Sequence, residues 1–143
     1  MVEKLRDPDC IFCKILEGVI PAAVIFEDDD VMAFMDAFPA SQGHALIIPR
    51  GHYANIHETP ESVVVTAARA AKRLAAAQKQ ALAPDGITVS QFNGAAAGQT
   101  VYHYHVHLIP RWEGQGGLRP SHGRDQGDPA LLRELAERIR GAL

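Results

Sequence analysis

Apolar and polar positions along this chain follow two periods, one suited to helices and one to strands. Cys10 to Gly18 predicts a short helix with Ile11, Phe12, Ile15 and Leu16 on its apolar side, closed by Gly18 and followed by Pro21. Ala23 to Glu27 and Val31 to Asp36 are β-rich runs separated by Asp28-Asp29-Asp30, the pattern of a hairpin. His44 to Pro49, continuously apolar from Ala45 to Ile48, reads as a strand covered on both faces. Thr59 and Pro60 form an N-cap and first-turn pair ahead of Glu61 to Ala83, a long helix without interior Gly or Pro. Pro84-Asp85-Gly86 stops it, and Ile87 to Phe92 alternates as a strand does. After the small loop Asn93 to Gly98, Val101 to Pro110 predicts another strand. Trp112 to Gly127 is Gly-rich without a period, a loop or an ordered tail. Asp128-Pro129 repeats the cap signature before Ala130 to Leu143, where Leu131, Leu135 and Ile139 recur at helical spacing. This order fits one α+β domain over 1–143, an antiparallel sheet of about five strands with the long helix packed on one face, a short N-terminal helix and a C-terminal helix.

A chain of 143 residues, 47% hydrophobic and 22% charged, suits one core. Its longest apolar stretches are far shorter than the ~20 residues that cross a bilayer, so no membrane partner is expected. The start, Met1 to Asp7, has charges of both signs and no apolar h-region, which reads against a secretory signal and places the chain in the cytoplasm. A formal net charge of −3 with scattered basic residues gives no field for polymeric nucleic acid. Cys10 and Cys13 form a C-x-x-C pair, which in a reducing compartment reads as metal ligands or a redox couple.

The chemistry concentrates in His103-Tyr104-His105-Val106-His107-Leu108-Ile109-Pro110, where histidines alternate with apolar residues at the strand period. The three imidazoles share one face, while Tyr104, Val106 and Leu108 pack on the other beneath the long helix. Along an extended strand His103 and His107 would stand ~13 Å apart, too far to hold one ion together, so the three rings have different tasks.

This segment, with Gly98-Gln99-Thr100-Val101-Tyr102 before it, resembles the signature of the histidine triad (HIT) superfamily, His-φ-His-φ-His-φ-φ with φ apolar. Asp36 after Val31 to Met35, the run Gly43 to His52, and Cys10 to Ile15 resemble the same family in the same order, so the resemblance covers about 9–112. It implies a HIT-like fold and a nucleotide hydrolase. In that reading His105 attacks the α-phosphorus and forms a nucleotidyl-histidine, with the carbonyl of His103 holding its far nitrogen. A neutral imidazole with a pKa near 6.5 suits the role. His107 would donate to a phosphate oxygen, and Gln99 and Thr100 stand where the family contacts phosphate or assists the leaving group. Asn93, Gly94 and Gly98 offer an amide and flexible backbone for an anion. Asp36 matches the ribose-binding position, with a capping role as its rival reading. Phe12, Ile15, Ile20 and Phe34 resemble the wall around the base and are equally suited to a plain core.

The resemblance also implies a structural zinc held by Cys10, Cys13, His52 and His103, with His44 as rival ligand. In members lacking the cysteines, the counterpart of His44 bonds the first triad histidine. Two thiolates and two imidazoles make a closed tetrahedral shell; without zinc the cysteines are plain thiols. His57 and His122 read as solvated surface. Expected substrates are nucleoside 5′-phosphoramidates of the AMP-amine type or dinucleoside polyphosphates. The competing activities are nucleotidyl transfer, against which His107 speaks because the transferase branch has glutamine there, and a purine-nucleotide-binding regulatory module. The family is commonly homodimeric, and no organic cofactor is expected.

Overall fold

The computed structural model describes residues 5–115 and 124–143. Its elements follow the expected order: α1 (Ile11–Leu16), β1 (Val24–Glu27), β2 (Val31–Met35), β3 (Ala45–Pro49), α2 (Glu61–Leu82), β4 (Gly86–Ser90), β5 (Val106–Arg111) and α3 (Pro129–Arg140). One 3-10 turn, Ala95–Ala97, interrupts the loop before β5. The five strands form one sheet in the order β1-β2-β3-β5-β4, every neighbouring pair antiparallel. Among the described residues no helix is long and apolar enough to cross a membrane.

Both faces of the sheet are covered. Residues alternate along β2, so Ala33 and Met35 join Ile47, Val106 and Leu108 against α2 and α3, whereas Met32 and Phe34 join Leu46 and Ile48 against α1. This two-sided cover explains why β2 and β3 are apolar without interruption. α2 meets the sheet through Ala67, Ala70, Ala71, Leu74 and Ala77, and the small side chains let its backbone come close. Leu74 is fully buried there, a burial worth about 1.5–3 kcal/mol. Leu135 and Ile139 of α3 close the same core.

Four local expectations change. Thr59 does not cap α2: Pro60 occupies the cap position without a side-chain bond, and the Thr59 hydroxyl donates to Asn55 O at 2.7 Å. The last strand pairs only from Val106, because Tyr104 N–H is drawn to Tyr53 O at 2.6 Å, so His103 and His105 precede the regular ladder. β4 ends at Ser90 rather than Phe92. Leu131 is exposed, and the buried stripe of α3 is Leu135, Ala136 and Ile139. Asp128 does cap α3, accepting from Ala130 N–H at 3.0 Å. His57 is exposed, as expected, and His122 lies outside the described residues.

Candidate active site and metal cluster

His105 lies on the approach to β5, 7% exposed, with Phe12 of α1 standing edge-on to its ring at 5.1 Å between centroids. Its Nδ1–H donates to the carbonyl of His103 at 2.6 Å. That bond fixes the tautomer and leaves Nε2 with its lone pair. Burial pushes the His105 pKa below its usual value, which keeps the ring neutral.

A second chain of bonds sets His107. Ala40 N–H donates to His44 Nδ1 at 3.0 Å, so His44 carries its proton on Nε2. Nε2 stands 3.0 Å from His107 Nδ1 and 3.4 Å from Asp36 Oδ2. His107 Nδ1 accepts, and the His107 proton therefore resides on Nε2. Burial is the largest cause holding His44 down to about 2 and His107 down to about 3, with the neighbouring rings and Arg124 adding to it. The pair consists of two neutral rings, one prepared to donate. His44 thus partners the third triad histidine and not the first, because the ring of His103 is turned away into another cluster.

Asp36 follows β2. Its Oδ1 accepts from Phe38 N–H at 2.8 Å, the capping role anticipated as the rival reading, and its Oδ2 faces His44 and Arg124. Burial raises its pKa, opposed by the Phe38 bond and the Arg124 charge. A cavity of about 670 Å³ opens in front of these groups, in the usual range for a small-molecule site. It is lined by Phe12, Ile15, Ile20 and Phe34 on its apolar side and by Asp36, Thr100, His105 and His107 on its polar side.

Gln99, Asn93 and Gly98 do not line this cavity. Gln99 is buried, donating to Ala54 O at 2.6 Å and Val101 O at 3.0 Å while accepting from Gly94 N–H at 2.8 Å, so it ties the loop together. Asn93 Oδ1 accepts from Ile56 N–H at 2.8 Å and its amide donates to Gln91 at 2.8 Å. Gly98 has φ +102°, as a chain reversal requires, and a Cβ there would face Phe92. Several lining residues escaped sequence reasoning, among them Arg124, in a stretch without periodicity and 88 positions from the carboxylate it meets.

The N-cap of α1 builds the second cluster. Cys10 Sγ, Cys13 Sγ, His52 Nδ1 and His103 Nδ1 lie within 4.8 Å of one another. Three of the four S···N separations are 3.4, 3.5 and 3.6 Å, and the two Nδ1 atoms are 3.3 Å apart. A tetrahedral ion with bonds of about 2.3 Å to sulfur and about 2.0–2.1 Å to nitrogen spaces its N···N and S···N donor pairs about 3.3–3.6 Å apart. The donor set fits. His103 Nε2–H donates to Pro49 O at 2.9 Å, which frees Nδ1 as a ligand. Backbone N–H groups of Cys13 and Asp7 point to Cys10 Sγ and Cys13 Sγ at 3.4 and 3.5 Å, as they would toward thiolates. His44 is excluded from this cluster by its bond to His107.

An antiparallel sheet between helices, presenting a row of histidines beside a nucleotide-sized cavity, defines a protein of the histidine-triad class. The HIT domain sequence profile matches residues 17–114, and the chain belongs to the HIT family. Among solved structures it is similar to a Hit-like protein involved in cell-cycle regulation from Bartonella henselae, 41% identical, covering 98% of this chain and 100% of that one with a TM-score of 0.89. It is also similar to a Zn-bound histidine triad family protein from Mycobacterium smegmatis, 34% identical, covering 94% and 92% of the two chains with a TM-score of 0.81. It is also similar to the adenosine 5′-monophosphoramidase of Saccharomyces cerevisiae, 44% identical over 112 residues, which are 78% of this chain and 68% of that protein.

Proposed function

We propose that this protein hydrolyses adenosine 5′-phosphoramidates through a covalent adenylyl-His105 intermediate. The observation that carries the reading is the bond from His105 Nδ1–H to the His103 carbonyl at 2.6 Å, which presents a neutral nucleophilic nitrogen at a cavity of nucleotide size. The phosphoramidase activity named for the yeast relative supports the choice of substrate over a dinucleoside polyphosphate.

In this mechanism the base lies among Phe12, Ile15, Ile20 and Phe34, and a ribose hydroxyl donates to Asp36. The lone pair of His105 Nε2 forms a bond to the α-phosphorus as the P–N bond breaks, and the departing amine takes a proton from water. His107 Nε2–H donates to a non-bridging oxygen as charge builds there, a contribution of the oxyanion-hole kind. Thr100, at the exposed edge of the cavity, stands where it can contact the leaving group. Water then attacks phosphorus, the Nε2–P bond breaks and AMP leaves. Cys10, Cys13, His52 and His103 would hold a structural zinc, whose chemistry is to lock α1 to the loop carrying His103. The Zn-bound relative supports that choice of metal.

The test is intact-protein mass spectrometry after acid quench with a fluorogenic adenosine phosphoramidate, with turnover followed in parallel. An AMP adduct and turnover in the native chain, both absent in His105→Ala, are expected. Equal turnover in the two would overturn the assignment.

A further inference from the structure

The mechanism uses one carboxylate on the ribose side, Asp36, and makes no use of the arginine packed against it. Arg124 is brought there by the segment preceding α3: Gly127 N–H donates to Ala37 O at 2.8 Å, next to Asp36 in the chain, and Asp128 anchors the start of α3. Arg124 Nη2 stands 3.4 Å from Asp36 Oδ2, and the arginine side chain is only 6% exposed. Its Nε is buried and has no hydrogen-bond partner among the described residues.

A guanidinium offers five N–H donors on a rigid fork, and a buried donor left without an acceptor is unfavourable. One long contact to a carboxylate satisfies a single edge of this fork. Arg124 lines the same cavity as His105 and Asp36, and the exposed Arg133 of α3 lines it as well. Asp36 is the sole carboxylate among the described lining residues against these two arginines, so the wall made by the C-terminal segment carries an excess cation. The free edge of Arg124 is arranged for an anion that the α-phosphate does not supply, since that group must lie at His105 and His107.

We propose that Arg124 forms an anion subsite on the ribose side of the cavity, fitted to a phosphate esterified to the 2′- or 3′-hydroxyl of the nucleotide. The proposal rests on the nucleotide reading given above and names a substrate class within it. The leaving group of an in-line displacement departs opposite His105, whereas Arg124 touches the carboxylate that faces the ribose, so the anion belongs to the sugar. The guanidinium then lies between two anions, Asp36 on Nη2 and the phosphate on its remaining N–H groups, and each takes charge-assisted bonds. Asp36 stays available to the remaining hydroxyl.

The experiment is calorimetric titration of the full chain with AMP, adenosine 3′,5′-bisphosphate and adenosine 2′,5′-bisphosphate, repeated on Arg124→Gln and Arg124→Lys. One of the bisphosphates is expected to bind the native chain about tenfold or more tighter than AMP. Arg124→Gln is expected to abolish that preference, and Arg124→Lys, which keeps the charge without the fork, to reduce it to a third or less. AMP binding without any preference for a bisphosphate overturns the subsite and leaves the nucleotide reading intact. Failure of all three nucleotides to bind overturns both. A preference that persists in Arg124→Gln, or unchanged in Arg124→Lys should the glutamine variant fail to fold, also overturns the subsite. Preferential binding without turnover of any phosphoramidate removes the hydrolase and leaves the subsite standing.

Discussion

His44 Nε2 lies 3.0 Å from His107 Nδ1, and because Ala40 N–H already occupies His44 Nδ1, His44 is the donor of that pair. The bond leaves the His107 proton on Nε2, where a transition-state oxygen can use it. Replacing His44 with phenylalanine removes the donor and lets His107 adopt the other tautomer. We expect kcat to fall about 10²-fold with KM changed by less than about threefold, measured by steady-state turnover of an adenosine phosphoramidate. A larger change in KM than in kcat would show that His44 acts on ground-state binding.

The same two rings predict a pH dependence of stability. Folded pKa values near 2 for His44 and near 3 for His107 lie below the unfolded value of about 6.5. The unfolded chain therefore binds more protons than the folded one below about pH 6.5, so their contribution is complete above that pH and is lost as pH falls through 6 and 5 toward the folded values. Differential scanning calorimetry is expected to give a Tm that is flat from about pH 7 to 8 and lower by about 5 °C or more at pH 5. His44→Phe, with one such group removed, is expected to show a shallower decline.

His103 joins the two halves of the site. Its Nδ1 belongs to the Cys10, Cys13 and His52 cluster, while its carbonyl holds His105. Removal of zinc by a strong chelator is expected to lower Tm by about 5 °C or more and to reduce kcat as the His103 carbonyl loses its fixed position; added zinc restores both. Cys13→Ser is expected to reproduce the loss in a form that zinc does not rescue fully. One bound zinc per chain by elemental analysis of the native protein, and markedly less in the variant, checks the assignment.

Gly43 has φ +90°, and a Cβ there would run into Leu82 Cδ1 and crowd Pro110 Cγ at 3.3 Å. Its carbonyl also accepts from Gln78 Nε2 at 2.9 Å, a bond shared with Leu108 O at 3.2 Å. Gly43→Ala combines left-handed strain with overpacking and is expected to destabilise by about 2–4 kcal/mol in urea unfolding. Gly114→Ala has a similar φ of +83° and open space around it, and is expected to lose about 1 kcal/mol, which separates backbone strain from the clash.

Much of this architecture was legible along the chain because it rests on local rules. Period-two alternation placed Val106 and Leu108 beneath α2 and His105 and His107 on the opposite side. The unbroken apolar runs of β2 and β3 announced a sheet covered on both faces, and Asp128-Pro129 marked the start of α3. The spacing of the three histidines pointed to the active-site row, whereas the partners of the C-x-x-C pair came from the resemblance to the histidine triad family.

Tertiary structure decided what distance in sequence hides. Gln99 and Asn93 carry polar groups suited to phosphate, yet neighbouring loops claim their amides first, because a buried amide takes whichever partner packing brings within reach. His44 could have met either end of the triad. Once His103 Nδ1 converges with two sulfurs and His52, and its Nε2 is taken by Pro49 O, only His107 remains for it. Gln78, an ordinary polar position in a helix, becomes a fully buried clamp on two carbonyls. Arg124 gave no sign of itself, since nothing in an aperiodic Gly-rich stretch says which carboxylate it will meet. Periodicity is a property of neighbours in the chain, whereas partner choice for a buried polar atom depends on which elements the core brings side by side.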